Sequence, residues 1–74
     1  MSQRHHPDRP PVIDWLRLIR AEYLEIPGLH LTMRQARRLW SLDDATSSAL
    51  FDTLVHTKFL RQTRTGAYIR ADAN

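Results

Sequence analysis

Seventy-four residues leave room for one domain with one modest core. A hydrophobic share of 42% and a charged share of 26% are those of a globular chain, and the absence of cysteine excludes disulfides and thiolate metal sites. Eleven Lys and Arg against eight Asp and Glu give a net charge of +3, which suits an anionic partner and equally suits plain solubility.

Residues 1–10 carry Arg4, Arg9 and the pair His5-His6 among prolines, with no apolar periodicity. They read as a flexible N-terminal arm, and two adjacent histidines on such an arm do not make a metal site. The start of the chain also lacks an apolar signal core, and no apolar run exceeds three residues. The expectation is a cytoplasmic protein with no membrane partner and no cofactor.

The first helix is expected to begin at Pro10 or Pro11, capped by Asp8 and with Asp14 in its first turn. Val12, Leu16, Ile19, Tyr23 and Ile26 recur at spacings of four, three, four and three, which is one helical face. Trp15, Leu18 and Leu24 lie off that stripe and are a candidate dimer or partner face. Arg17, Arg20, Glu22 and Glu25 supply the wet side. Pro27-Gly28 ends the helix, because proline forbids continuation and glycine accepts the reversing dihedral.

Leu29-His30-Leu31 alternates as a very short strand, with His30 facing outward. Thr32 and Gln35 form a capping box for a short second helix. Its buried stripe is Met33, Ala36, Leu39 and Trp40, and its outer face is Arg34, Arg37 and Arg38. Ser41-Leu42 makes a tight turn, and Asp43 caps a third helix running from Asp44 to His56 or Thr57. Leu50, Phe51, Leu54 and Val55 supply its apolar side, with Ser47 at the same angle one turn earlier. After Lys58 closes that helix, Phe59–Thr63 and Ala67–Arg70 read as two strands around Arg64-Thr65-Gly66. Residues 11–71 thus form one domain, mainly α with a small β-hairpin, and 72–74 a tail.

The order of helix, short strand, helix, tight turn, helix and hairpin is that of a winged helix-turn-helix. Trp40 delivers an apolar residue to the turn, Ser41 permits it, Leu42 plugs the corner and Asp43 caps the third helix. Leu31-Thr32, Thr46, Leu50, Leu54 and Phe59-Leu60-Arg61 complete the pattern. Over residues 29–70 it resembles that of bacterial winged-helix regulators of the multiple-antibiotic-resistance type, and of small stand-alone bacterial winged-helix proteins.

That resemblance implies double-stranded DNA as partner, a third helix in the major groove and a dimer. The exposed positions of that helix would be Asp44, Ala45, Ser48, Ala49, Asp52, Thr53 and His56, a set with two carboxylates and no Lys or Arg. Ser48, Thr53 and His56 are the candidate base contacts. The cations lie elsewhere: Arg34, Arg37 and Arg38 on the second helix, then Lys58, Arg61, Arg64 and Arg70 in a stretch free of acid. These seven are the candidate phosphate contacts of a small transcriptional regulator. The alternative is a protein–protein interaction module on the same scaffold without DNA binding. Nothing points to an enzyme: Asp43-Asp44 are helix neighbours that do not face each other, and His30 and His56 are isolated.

Overall fold

The computed structural model describes residues 11–72. The Asp8 cap, the His5-His6 pair and most of the arm and tail readings lie outside that range. Three helices and three strands are arranged along the chain as α1 (Val12–Glu25), β1 (Leu31–Thr32), α2 (Met33–Trp40), α3 (Asp44–His56), β2 (Leu60–Gln62) and β3 (Ala67–Arg70). The strands make one antiparallel sheet of order β1-β3-β2, so the last strand is central. Leu31 faces Tyr68 on one side of it, and Arg61 faces Ile69 on the other.

Local chemistry sets each boundary. Pro11 precedes α1 without any side-chain cap, its carbonyl accepting from the amides of Asp14 and Trp15. Ile26-Pro27-Gly28-Leu29 then folds as a turn closed by the Leu29 amide on the Ile26 carbonyl. Proline stands at its second position and Gly28 at its third with φ +83°, as a type II turn requires. The next strand lies later than the alternation suggests. It pairs Leu31 and Thr32 and leaves His30 outside, exposed beside the Gly28 carbonyl. Thr32 both ends that strand and caps α2, its hydroxyl accepting from the Gln35 amide while the Gln35 side chain accepts from the Thr32 amide.

Two left-handed non-glycine residues turn the chain. Ser41 (φ 55°) ends α2, and Leu42 donates back to the Arg37 carbonyl. Lys58 (φ 67°) ends α3 in the same manner, its amide on Val55 and the Phe59 amide on Leu54. Gly66 (φ 91°) completes the three-residue hairpin loop, in which the Gly66 amide reaches the Thr63 carbonyl.

The core joins all three layers. Ile19 and Tyr23 of α1, Ala36 of α2, Leu50, Phe51 and Leu54 of α3, and Leu60 and Tyr68 of the sheet are buried together. The Phe51 and Tyr68 rings pack at 4.8 Å, and Tyr23 meets Phe59 edge-on at 6.4 Å. The Tyr23 hydroxyl donates to the Tyr68 carbonyl at 2.9 Å, tying α1 to the central strand. Ser47 is fully buried, and its hydroxyl is satisfied by the carbonyls of Asp43 and Asp44 one turn back.

Several expected core residues stand outside. Leu39 is 59% exposed and Val55 38% exposed, and Val12 and Ile26 at the ends of α1 are exposed too. In α2 the inward arc is held by Ala36, Trp40 and Met33, and Leu39 falls about 60° beyond Ala36 on the outer side. Val55 sits at the edge of the α3 arc centred on Ser47, Leu50 and Leu54. Trp15, expected off the core, packs against it, because it lies one turn before Ile19.

Burial, and then the neighbouring Tyr68 phenol, push the Tyr23 hydroxyl from an ordinary value of 10.0 to about 12. The fold therefore favours the neutral phenol, so this contribution to stability is complete below pH 10.0 and is lost as pH rises towards about 12. Tyr23→Phe should be about 1–2 kcal/mol less stable at neutral pH and should lose less stability across that alkaline window. Urea midpoints measured against pH check this, and parallel curves for the two proteins contradict it. Lys58→Gly relieves a left-handed lysine and should raise stability by about 1 kcal/mol in the same assay.

Candidate functional site

Helix α3 is packed against α1, α2 and β2 and turns its remaining arc outward. Ser48, Asp52 and His56, each four residues from the next, form the exposed stripe of that arc, with Ala45 and Ala49 beside them. Two expected base contacts, Ser48 and His56, thus flank a carboxylate. Asp52 forms no ion pair among the described residues, and it lies close enough to Tyr68 to reinforce the rise that burial imposes on the Tyr68 phenol.

Thr53, the third expected base contact, is turned elsewhere. It sits about 140° around the helix from Ser48, donates its hydroxyl to the Ala49 carbonyl and lines a groove against α1. Asp44, the other carboxylate of this helix, is paired: its Oδ1 lies 3.0 Å from Nη1 of Arg37. That contact joins the last turn of α2 to the first turn of α3 and neutralises Asp44. Arg37 stands about 100° around α2 from buried Ala36 and is about one-third exposed, not on the outer face expected for it.

The seven expected phosphate-binding cations do not share one face. Arg34 and Arg38 are exposed on α2, Lys58 at the end of α3, and Arg64 in the hairpin loop. Cross-strand partners share a sheet face, so Arg70 lies on the side of buried Leu60, whereas Arg61 lies with Ile69 on the other. Arg70 is held there, its guanidinium 5.6 Å from the Phe59 ring centroid and 2.9 Å from the Asp72 carboxylate.

The expected partner face also divides. Trp15 is half-buried against the core, and Leu18 and Leu24, both exposed, stand about 120° apart on α1 with Ala21 between them. Leu24 instead borders an open groove of about 480 Å³ between α1 and α3. Ile13, Leu16 and Leu54 give it an apolar lining, Arg17 and Arg20 line its α1 side, and Thr53 and Thr57 its α3 side. Arg20 additionally lies over Phe59, 4.9 Å from the ring centroid. Ile13, Arg17, Arg20 and Leu24 form a second stripe at four, three and four, a helical spacing masked in the sequence by its mixed chemistry.

Among the described residues no cluster of His, Asp and Glu is arranged to hold a metal, and no helix is long and apolar enough to cross a membrane. The chain matches no known protein family, curated protein or solved structure.

The Arg37–Asp44 contact is solvent-facing, with Asp44 90% exposed. Arg37→Ala should therefore cost less than about 1 kcal/mol, and that small cost should shrink further in high salt. Thermal melts at two ionic strengths measure it; a larger, salt-independent loss would show that Arg37 acts through packing.

Proposed function

We propose that this chain is a winged helix-turn-helix DNA-binding protein, a small transcriptional regulator that holds the duplex mainly through its phosphates. The observation that carries the reading is the tight α2–α3 junction, left-handed at Ser41 and capped at Asp43, with a hairpin directly after α3. From Lys58 to Arg70 that segment contains no acid. On this reading α3 enters the major groove, and α2 and the hairpin flank it over the two backbones.

Arg34, Arg38, Lys58, Arg61 and Arg64 then meet phosphates. Arg37 contributes by neutralising Asp44 at the start of the recognition helix. Sequence readout is narrow, because the outward stripe offers only Ser48, Asp52 and His56. A carboxylate between a hydroxyl and an imidazole suits a cytosine amino group and repels phosphate. Backbone contacts therefore supply most of the affinity.

Duplex binding titrated with salt tests this. Each phosphate contact contributes about 0.9 to the negative slope of log K against log salt, so Arg34→Ala/Arg38→Ala should reduce that slope by about 2. Asp52→Asn should tighten binding roughly threefold to tenfold by removing the unpaired carboxylate. No binding at low salt, or affinity indifferent to salt, would overturn the proposal.

A further inference from the structure

The groove between α1 and α3 has chemistry that neither the core nor a DNA-facing surface explains. Its lining is apolar at Ile13, Leu16, Leu24 and Leu54, and two of those, Ile13 and Leu24, are more than half exposed. Among the described residues its only charges are the guanidiniums of Arg17 and Arg20, neither of them in an ion pair there. Stacking on Phe59 fixes the Arg20 head at the rim, which lowers the entropy lost when it meets a carboxylate.

We propose that this groove docks an amphipathic helix of a partner protein, with apolar side chains seated along Ile13 to Leu24 and carboxylates on Arg17 and Arg20. From Ile13 to Leu24 is about three helical turns, or roughly 16 Å, which accepts anchors at i, i+3 or i+4, and i+7 of an incoming helix. The sign of the partner comes from the lining, which among the described residues holds two cations and no acid. The chain's own residues 1–10 are poorly suited, since they carry two arginines against one aspartate and only Met1 as a large non-proline apolar side chain. A second copy docking antiparallel through the same face would set Arg17 against Arg20, a like-charge contact. An acidic helix from another protein satisfies both the apolar lining and the charge. The inference is independent of duplex binding, because the groove lies to the side of the Ser48–Asp52–His56 stripe.

The probes are two synthetic helical peptides of about four turns with the same leucine stripe, one flanked by glutamates and one by lysines. In amide chemical-shift titrations of the full chain, the glutamate peptide should perturb residues 13–24 and 53–57, and the lysine peptide should not bind. Arg17→Glu should weaken the glutamate peptide by at least about tenfold and admit the lysine peptide, and Leu24→Glu should abolish binding of the glutamate peptide. Both positions are exposed, and unchanged circular dichroism confirms that the variants fold. The proposal is overturned by silence at the groove with about 1 mM glutamate peptide, or by equal response to both peptides. It is overturned as well if sedimentation finds a dimer that Leu24→Glu dissociates, for then a second copy occupies the groove.

Discussion

The hydrogen bond from the Tyr23 hydroxyl to the Tyr68 carbonyl settles where α1 lies, and the surfaces of the molecule depend on that placement. Helices α2 and α3 are neighbours through a tight turn, and α3 passes directly into the hairpin, so their arrangement is nearly fixed by local geometry. Helix α1 has no such constraint, because the loop after Pro27 separates it from everything it packs on. Its position depends on burying Ile19 and Tyr23 completely, which contributes roughly 1.5–3 kcal/mol for each large side chain. A polar atom inside that contact adds direction to an otherwise non-directional force, since a shift of α1 would leave the phenol unpaired in the core.

With α1 held this way, α3 is divided into three strips. Leu50, Phe51, Leu54 and Ser47 go inward, Ser48, Asp52 and His56 go outward, and Thr53 and Thr57 line the groove with α1. The inward strip could close this tightly on the chain before it because Ser47 is small and meets its own hydrogen-bonding need within the helix. Its hydroxyl makes no demand on α2, so a polar residue stands at a fully buried position without a long-range partner.

The capped junctions were legible in the sequence because each rests on a few residues acting over one turn. Thr32 with Gln35, Asp43 with Thr46, and Pro27-Gly28 stand where their side chains predict. Burial on a short helix was less legible. Eight residues give α2 barely two turns, Leu39 and Arg37 stand on opposite flanks of its buried arc, and hydrophobicity alone favours the leucine. Arg37 pairs with the exposed Asp44 on one flank and Leu39 stands in solvent on the other, because Ala36, Trp40 and Met33 fill the arc between them. Trp15 departs from its expected place for a related reason. A stripe counted from Val12 omits it, yet the true centre of the buried arc, at Ile19 and Tyr23, includes it. The candidate site was legible as a list of cations but not as a surface, because strand pairing sends Arg61 and Arg70 to opposite faces of the sheet.

This separation bears on how one small chain can carry two surfaces. A helix advances 100° per residue, so Asp52 and Thr53 are adjacent in sequence yet open onto different environments. Asp52 faces outward as an uncompensated charge, and Thr53 folds its hydroxyl onto its own helix beside the α1 arginines. The two sides of α3 also differ in the sign they favour. The outward stripe carries the Asp52 carboxylate at its centre, whereas the α1 side presents cations directly against an apolar lining. A polyanion without apolar groups gains little from that lining, and an acidic amphipathic helix gains little from the outward stripe. The same thirteen-residue helix therefore borders two environments that differ in the sign of their charge, without any residue belonging to both.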